Sequence, residues 1–266
     1  MAGRQTADIV FCMDASGSMS SAFDGVRNNV NRMLESIKSD LQVQWDVRFD
    51  FLAYANTSDA MMLRTINYAG HDVIDALYSG GSKKGLFSFG QGQSTDFFTS
   101  DLGKFKQELG KIKCGCDEAT GLALDVAADF PFRDSATCHR VVVLLTDEPV
   151  ADGKFVSVTG DKIMDLARKY QDRKIALFMV TPPCPTFDTL SQIDKCEWTI
   201  DESSGLEHID FAKLMQTIGK SVSISQTSQG GADGVRPLFG EKSWNGCSVV
   251  GESDGWVEVK TGSFLQ

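Results

Sequence analysis

The sequence predicts an α/β fold. The expected architecture is a doubly wound, mostly parallel central sheet of Rossmann-like type, with one antiparallel edge strand, helices on both faces and a small β-rich C-terminal tail. Three observations predict it. Runs at 9–13, 139–146 (HRVVVLLT) and 174–181 (KIALFMVT) are dominated by Val, Ile, Leu, Phe and Met with no polar face, the mark of strands buried on both sides. Segments with apolar residues at helical spacing stand between these runs. Strands that alternate with helices along one chain assemble into a parallel sheet.

Taken in order, residues 8–14 form the first strand and 20–39 the first helix, with Phe23, Val26, Val30, Met33, Leu34 and Ile37 on its apolar face and Ser20 or Ser21 as N-cap. Residues 45–54 (WDVRFDFLAY) alternate as a second strand, and 60–66 follow a turn as the antiparallel edge strand. The segment 73–78 is too short to assign. Residues 79–94 form a Gly/Ser-rich surface loop, because no strand leads into Gly90-Gln91-Gly92 and no Lys-Ser/Thr follows it. Ser100 or Asp101 caps a helix carrying Leu102, Phe105, Leu109 and Ile112, and a tight turn at 113–121 feeds a helix that ends before Pro131. After the central strand at 139–146, Thr159 or Asp161 caps a helix through Tyr170, and the strand at 174–181 stops at Pro182 and Pro183. A short helix at 188–193, a short strand near 198–200 and a helix at 211–222 complete the unit, with His208 also in a late helix. Residues 1–225 are one domain. Residues 226–266 are a linker (QTSQGGADG) and a tail of one or two hairpins packed back on it.

Composition narrows the function classes. The chain has 266 residues, 42% hydrophobic and 23% charged, an ordinary balance for a globular protein. A net charge of −10 argues against nucleic acid, whose phosphates call for a basic face, and favours cations. No secretory h-region and no bilayer-length apolar run is present, which excludes membrane partners and predicts a cytoplasmic location. The 7 cysteines are odd in number and read as reduced thiols; short C-x2-C knuckles of structural zinc are missing.

One cluster points to chemistry. The first strand ends at Asp14, and Ser16 and Ser18 follow on the loop that hands over to the helix. In open α/β sheets, ligands bind at the carboxyl ends of strands. Small oxygen donors there suit a hard divalent cation, Mg2+ or else Mn2+ or Ca2+. A helix-capping loop explains the Asp and Ser residues equally well when this segment is taken alone. Two further acids raise the metal reading: Asp147 at the end of the strand at 139–146, and Asp117 at the start of a helix. In a doubly wound sheet all three loops gather above one edge, supplying two hydroxyls and three carboxylates to one ion.

At this point the sequence resembles the von Willebrand factor type A (vWA) domain, over residues 7–222. The family's metal-ion-dependent adhesion site has D-x-S-x-S after the first strand, a Thr or Asp in a Gly-rich loop, and a T-D pair ending a central strand. The matching residues are Asp14-Ala-Ser16-Gly-Ser18, the loop of Gly115, Cys116 and Asp117 with Thr120 in reserve, and Thr146-Asp147. The resemblance implies that Ser16 and Ser18 bind metal through their hydroxyls, and that Asp14 and Asp147 hold it directly or through water. It also implies a protein partner, one of whose acidic side chains completes the coordination in vertebrate-type sites. Asp117 in place of Thr leaves the site formally negative. This weakens its pull on a partner carboxylate and tightens its hold on the cation. The free thiols align the chain with the family's intracellular members, which act as adaptors in complexes.

The expected function is therefore a non-enzymatic, divalent-metal-dependent protein-interaction module with no catalytic residues. Two other readings stand beside it. One is a Mg-dependent phosphotransferase or hydrolase using Asp14, which lacks a second acid two residues on, a matching Lys and a well-placed His among His71, His139 and His208. The other is a structural subunit with a vestigial metal site.

Overall fold

A computed structural model of the chain describes residues 3–39, 43–56, 61–78, 97–115, 120–150, 160–224, 247–253 and 256–261. The chain divides into two compact units, Met1–Gly231 and Ala232–Gln266. The first contains strands β1 (Gly3–Asp14), β2 (Val43–Asn56), β3 (Met61–Arg64), β4 (Cys138–Leu145), β5 (Ile175–Thr181) and β6 (Cys196–Ile200). Its helices are α1 (Ser20–Ile37), α2 (His71–Tyr78), α3 (Leu102–Leu109), α4 (Thr120–Ala128), α5 (Gly160–Asp172), α6 (Pro185–Leu190) and α7 (Phe211–Ile224). The second unit contains an antiparallel hairpin, β7 (Cys247–Ser253) and β8 (Trp256–Thr261), with an irregularity between Val249 and Gly251.

The sheet of the first unit runs β3-β2-β1-β4-β5-β6, with β3 antiparallel to β2 and the other pairs parallel. This is the expected architecture. Its centre is β1, where Ile9, Val10, Phe11, Cys12 and Met13 are all fully buried. Alternate residues serve opposite layers. Ile9, Phe11 and Met13 pack with Phe23, Val26, Val30, Met33 and Ile37 of α1, Phe105 of α3 and Met215 and Ile218 of α7. Val10 and Cys12 pack with residues of α2, α4, α5 and α6. The α1 residues recur at three- and four-residue steps, so one stripe of the helix meets the sheet.

Several boundaries differ from expectation for local reasons. The first strand begins at Gly3, since its amino end pairs with Val43 and Gln44 of β2, which apolarity alone does not reveal. Neither Ser20 nor Ser21 caps α1. A 3-10 turn at Gly17–Met19 leads into the helix, Met19 takes the cap position, and both serines lie in the first turn. The unassigned segment near Val73 is α2. Asp101 caps α3, its carboxylate accepting the amides of Gly103 (2.8 Å) and Lys104 (3.1 Å). The short sixth helix starts at Pro185, because Pro suits a first helical turn. His208 lies in the loop before α7, not in a helix. The Gly/Ser-rich loop at 79–94 and the linker at 226–234 fall outside the described residues. No helix among the described residues is long and apolar enough to cross a membrane.

Candidate metal centre

Because β1 and β4 are parallel neighbours, with Met13 opposite Leu145, the residues that follow them emerge on the same rim of the sheet. Asp14 ends β1 and is fully buried. Its Oδ1 accepts the amide of Ser16 at 2.7 Å, which folds the D-x-S turn back on itself. Its Oδ2 accepts the hydroxyl of Thr146 at 3.0 Å, tying the first loop to the one after β4. The Ser16 and Ser18 hydroxyls lie 3.3 Å apart, so the two small donors share one spot.

Asp147 follows Thr146. Its Oδ2 accepts the amide of Gly205 at 2.5 Å. Its Oδ1 is buried with no hydrogen-bond partner among the described residues. Burial pushes the Asp14 carboxyl up to about 6; the Ser16 amide and the Thr146 hydroxyl oppose this, and the charge of Asp147 adds to it. The charge of Asp147 disfavours the ionised form of the buried Asp14 carboxyl, and a hard cation would relieve that. Asp14, Ser16, Ser18 and Asp147 are the oxygen donors gathered on this rim, of a kind that suits a divalent ion. Among the described residues no three His, Cys, Asp or Glu side chains group to hold a metal.

The middle loop approaches the same place. The Gly115 amide donates to the Ala15 carbonyl at 2.9 Å, laying 112–115 against the D-x-S-x-S turn. Asp117, the expected third carboxylate, falls outside the described residues, 116–119 being omitted. Thr120, its reserve, is buried at the start of α4, and its hydroxyl meets the Tyr54 phenol at 2.9 Å.

Two participants, Tyr54 and Gly205, are not picked out from the sequence, and a third, Thr146, is named there without its partner. Thr146 was visible as half of a T-D pair, but its bond to Asp14 depends on the β1–β4 pairing. Tyr54 read as an ordinary strand residue. Gly205 had no signal: it adopts φ +66°, donates to Asp147, and its carbonyl accepts the Ser21 hydroxyl at 2.7 Å. A Cβ there would stand 2.5 Å from the Ser18 carbonyl oxygen. Glycine is thus demanded both by the backbone and by the close approach.

The histidines are dispersed. His71 is exposed and pairs with Asp75 (3.4 Å), His139 is buried beside Trp45 near the amino end of β4, and His208 is exposed with Nδ1 3.6 Å from Asp201 Oδ1.

Comparison with known proteins bears on the family and the fold. The sequence profile described as the von Willebrand factor type A domain matches residues 8–198. No curated protein sequence matches the chain. Similar solved structures include the SpRpn10 VWA domain, at 12% identity over 80% of this chain and 97% of that one, TM-score 0.49. A von Willebrand factor type A structure from Catenulispora acidiphila is 12% identical over 82% of this chain and 43% of that one, TM-score 0.50. Proximal thread matrix protein 1 from the mussel byssus is 15% identical over 84% of this chain and 48% of that one, TM-score 0.47. The chain therefore spans less than half of either of the latter two.

Proposed function

The chain belongs to the von Willebrand factor type A domain family, generally one of interaction modules rather than enzymes, and from that premise we propose a divalent-metal-dependent protein-binding module. Asp14, Ser16, Ser18, Asp117 and Asp147 would hold Mg2+, or Mn2+ or Ca2+ in its place. The observation that carries this reading is the buried Asp147 oxygen, unpartnered among the described residues, in a loop cluster where the charge of Asp147 bears on the buried Asp14 carboxyl. The ion would supply positive charge to that cluster and an open coordination position for a group on the partner. The chain's own residues do the rest. The Ser16 amide and the Thr146 hydroxyl orient Asp14, and the Gly205 amide orients Asp147.

With three carboxylates against one divalent ion the site stays net negative, so an acidic partner side chain completes the coordination less readily than in two-carboxylate sites. The cation is then partly structural, fixing the loops that the partner touches. A reducing compartment such as the cytoplasm fits the free thiols of Cys12, Cys114, Cys138, Cys184 and Cys196.

Titration calorimetry with MgCl2 and MnCl2 tests the reading. The wild-type chain should bind one ion. Ser16→Ala, which loses a donor, and Asp117→Thr, which loses a negative charge, should each weaken binding, by about tenfold or more for Ser16→Ala. Affinity purification with wild type and Ser16→Ala as baits, in Mg2+ and in EDTA, should then recover a protein only with wild type in Mg2+. Absence of ion binding by the wild type overturns the reading. Unchanged binding by Asp117→Thr removes Asp117 from the ligand set.

A further inference from the structure

Sequence pattern offers Ser21 as an N-cap, and the fold gives it a different partner. Met19 takes the cap position of α1. The Ser21 hydroxyl donates instead to the Gly205 carbonyl at 2.7 Å, across 184 positions of chain. The amide of the same glycine donates to Asp147 Oδ2 at 2.5 Å. One residue thus joins the first turn of α1, which continues the D-x-S-x-S turn, to the acid that follows β4.

The loop carrying Gly205 is tied down at its root. The Asp201 amide donates to the Thr181 carbonyl at the end of β5 (3.1 Å), and Asp201 Oδ1 accepts the Ser203 amide (2.8 Å). The Ser203 hydroxyl oxygen accepts the His208 amide (3.1 Å), and Leu206 is buried in the layer that holds α1 and α7. Gly205 itself stands between Asp147 on one side and the end of the first loop on the other. A Cβ there would lie 2.5 Å from the Ser18 carbonyl oxygen and 2.8 Å from Ser21 Oγ. Since Asp147 Oδ2 is held by Gly205 and Oδ1 has no partner among the described residues, the place of Gly205 decides where the free oxygen stands.

Resting on the metal-binding reading above, we infer that Ser21 is a positioning residue for the cation site. By holding the Gly205 carbonyl, its hydroxyl sets where the Gly205 amide, and with it the Asp147 carboxylate, stands relative to Ser16 and Ser18. Ser21 touches no ion. It makes the 201–208 loop a fourth contributor to the site, one that supplies alignment and no ligand. A serine hydroxyl has one hydrogen to give, and alanine has none. Without that bond the loop visits placements that turn Asp147 away, and apparent affinity falls with the fraction of molecules correctly arranged.

Ser21 is exposed, so Ser21→Ala should fold and melt close to wild type without metal. Its Mg2+ affinity by calorimetry should fall about fivefold, the worth of one ordinary hydrogen bond. Ser21→Thr keeps the donor and should keep wild-type affinity. Gly205→Ala, opposed by φ +66° and by the Ser18 carbonyl, should lose more. Adding Ser21→Ala to it should cost little further, because both act through the one glycine. A lowered metal-free melting temperature with an unchanged Mg2+ dissociation constant in Ser21→Ala overturns the inference. So does an equal loss in Ser21→Ala and Ser21→Thr, since the hydroxyl would then not matter, and so does full additivity with Gly205→Ala. If Gly205→Ala does not fold, the two Ser21 variants decide alone: a loss confined to Ala supports the inference. No Mg2+ binding by the wild type overturns the metal reading and this inference together. Equal Mg2+ binding by wild type and Ser21→Ala overturns this inference only.

Discussion

Asp8 and Asp50 show how differently one residue type is treated inside this sheet. Asp8, near the amino end of β1, is fully buried but surrounded by donors. Arg48 reaches it with Nε at 2.9 Å and Nη2 at 2.7 Å, and Arg133 with its amide at 2.8 Å and Nε at 3.0 Å. Burial pushes its carboxyl up, but the bonds from Arg48 and Arg133 together outweigh burial and hold it below the ordinary 3.8. Asp50 is equally buried, and among the described residues its Oδ1 accepts the amides of Phe51 (2.7 Å) and Ile66 (3.1 Å). Its Oδ2 has no partner among the described residues, and burial holds this carboxyl well above 3.8. For Asp8 the sign follows from linkage. A depressed folded value means that its contribution is complete above about pH 4 and is lost as pH falls through that folded value. Asp8→Asn leaves two arginines beside an uncharged group. Because those arginine side chains keep 25% and 24% exposure, the cost should sit at the low end for a broken buried pair, about 3 kcal/mol at pH 7. Urea unfolding of wild type and variant should show that gap at pH 7 and a smaller one below pH 4. A gap independent of pH would mean that the charge is not what matters.

At the scale of elements, helices α1 and α7 are held together by absence of side chains. A Cβ on Gly219 of α7 would lie 2.5 Å from the Met33 carbonyl oxygen and 2.7 Å from Ser36 Cβ of α1. On Gly25 of α1 it would run into the ring of Phe211, at 2.4 Å. Alanine for glycine inside a helix ordinarily gains about 1 kcal/mol from propensity. Forcing packed helices apart costs about 1–3 kcal/mol, and here the obstruction at Gly219 includes backbone that cannot swing away. Sterics should win. Gly219→Ala should lower stability by about 1–2 kcal/mol in chemical denaturation, the reverse of the propensity expectation; a stabilised variant would show that α7 can shift on α1 at little cost. The same pair illustrates the limits of pattern. Spacing announced both helices, yet which of their glycines were contact points was written in neither.

For the whole molecule, an ion bound only by the folded chain must raise its stability. At Mg2+ a hundredfold above its dissociation constant the gain is about 2.7 kcal/mol. For a domain of this size each kcal/mol moves the melting temperature by about 2–4 °C. Scanning calorimetry should therefore show a rise of about 5–10 °C in Mg2+, reversed by EDTA and no more than about half as large in Ser16→Ala. A melting temperature indifferent to Mg2+ and EDTA would favour a vestigial site.

By itself the sequence determined the alternation of strands and helices, the antiparallel edge, and the loop positions of Asp14, Ser16, Ser18 and Asp147. These follow from periodicity and from residues that end strands, which are local properties. The tertiary structure alone decided what those residues meet. Thr146 reaches Asp14 because β4 lies beside β1, Gly205 reaches Asp147 because the loop before α7 folds over the rim, and Tyr54 reaches Thr120 because α4 packs on that face of β2. The pairing of Asp8 with Arg48 and Arg133 is likewise a product of register and chain return. Such partners are 40 to 132 positions apart, so no window along the chain contains both members of a bond; only packing brings them within reach.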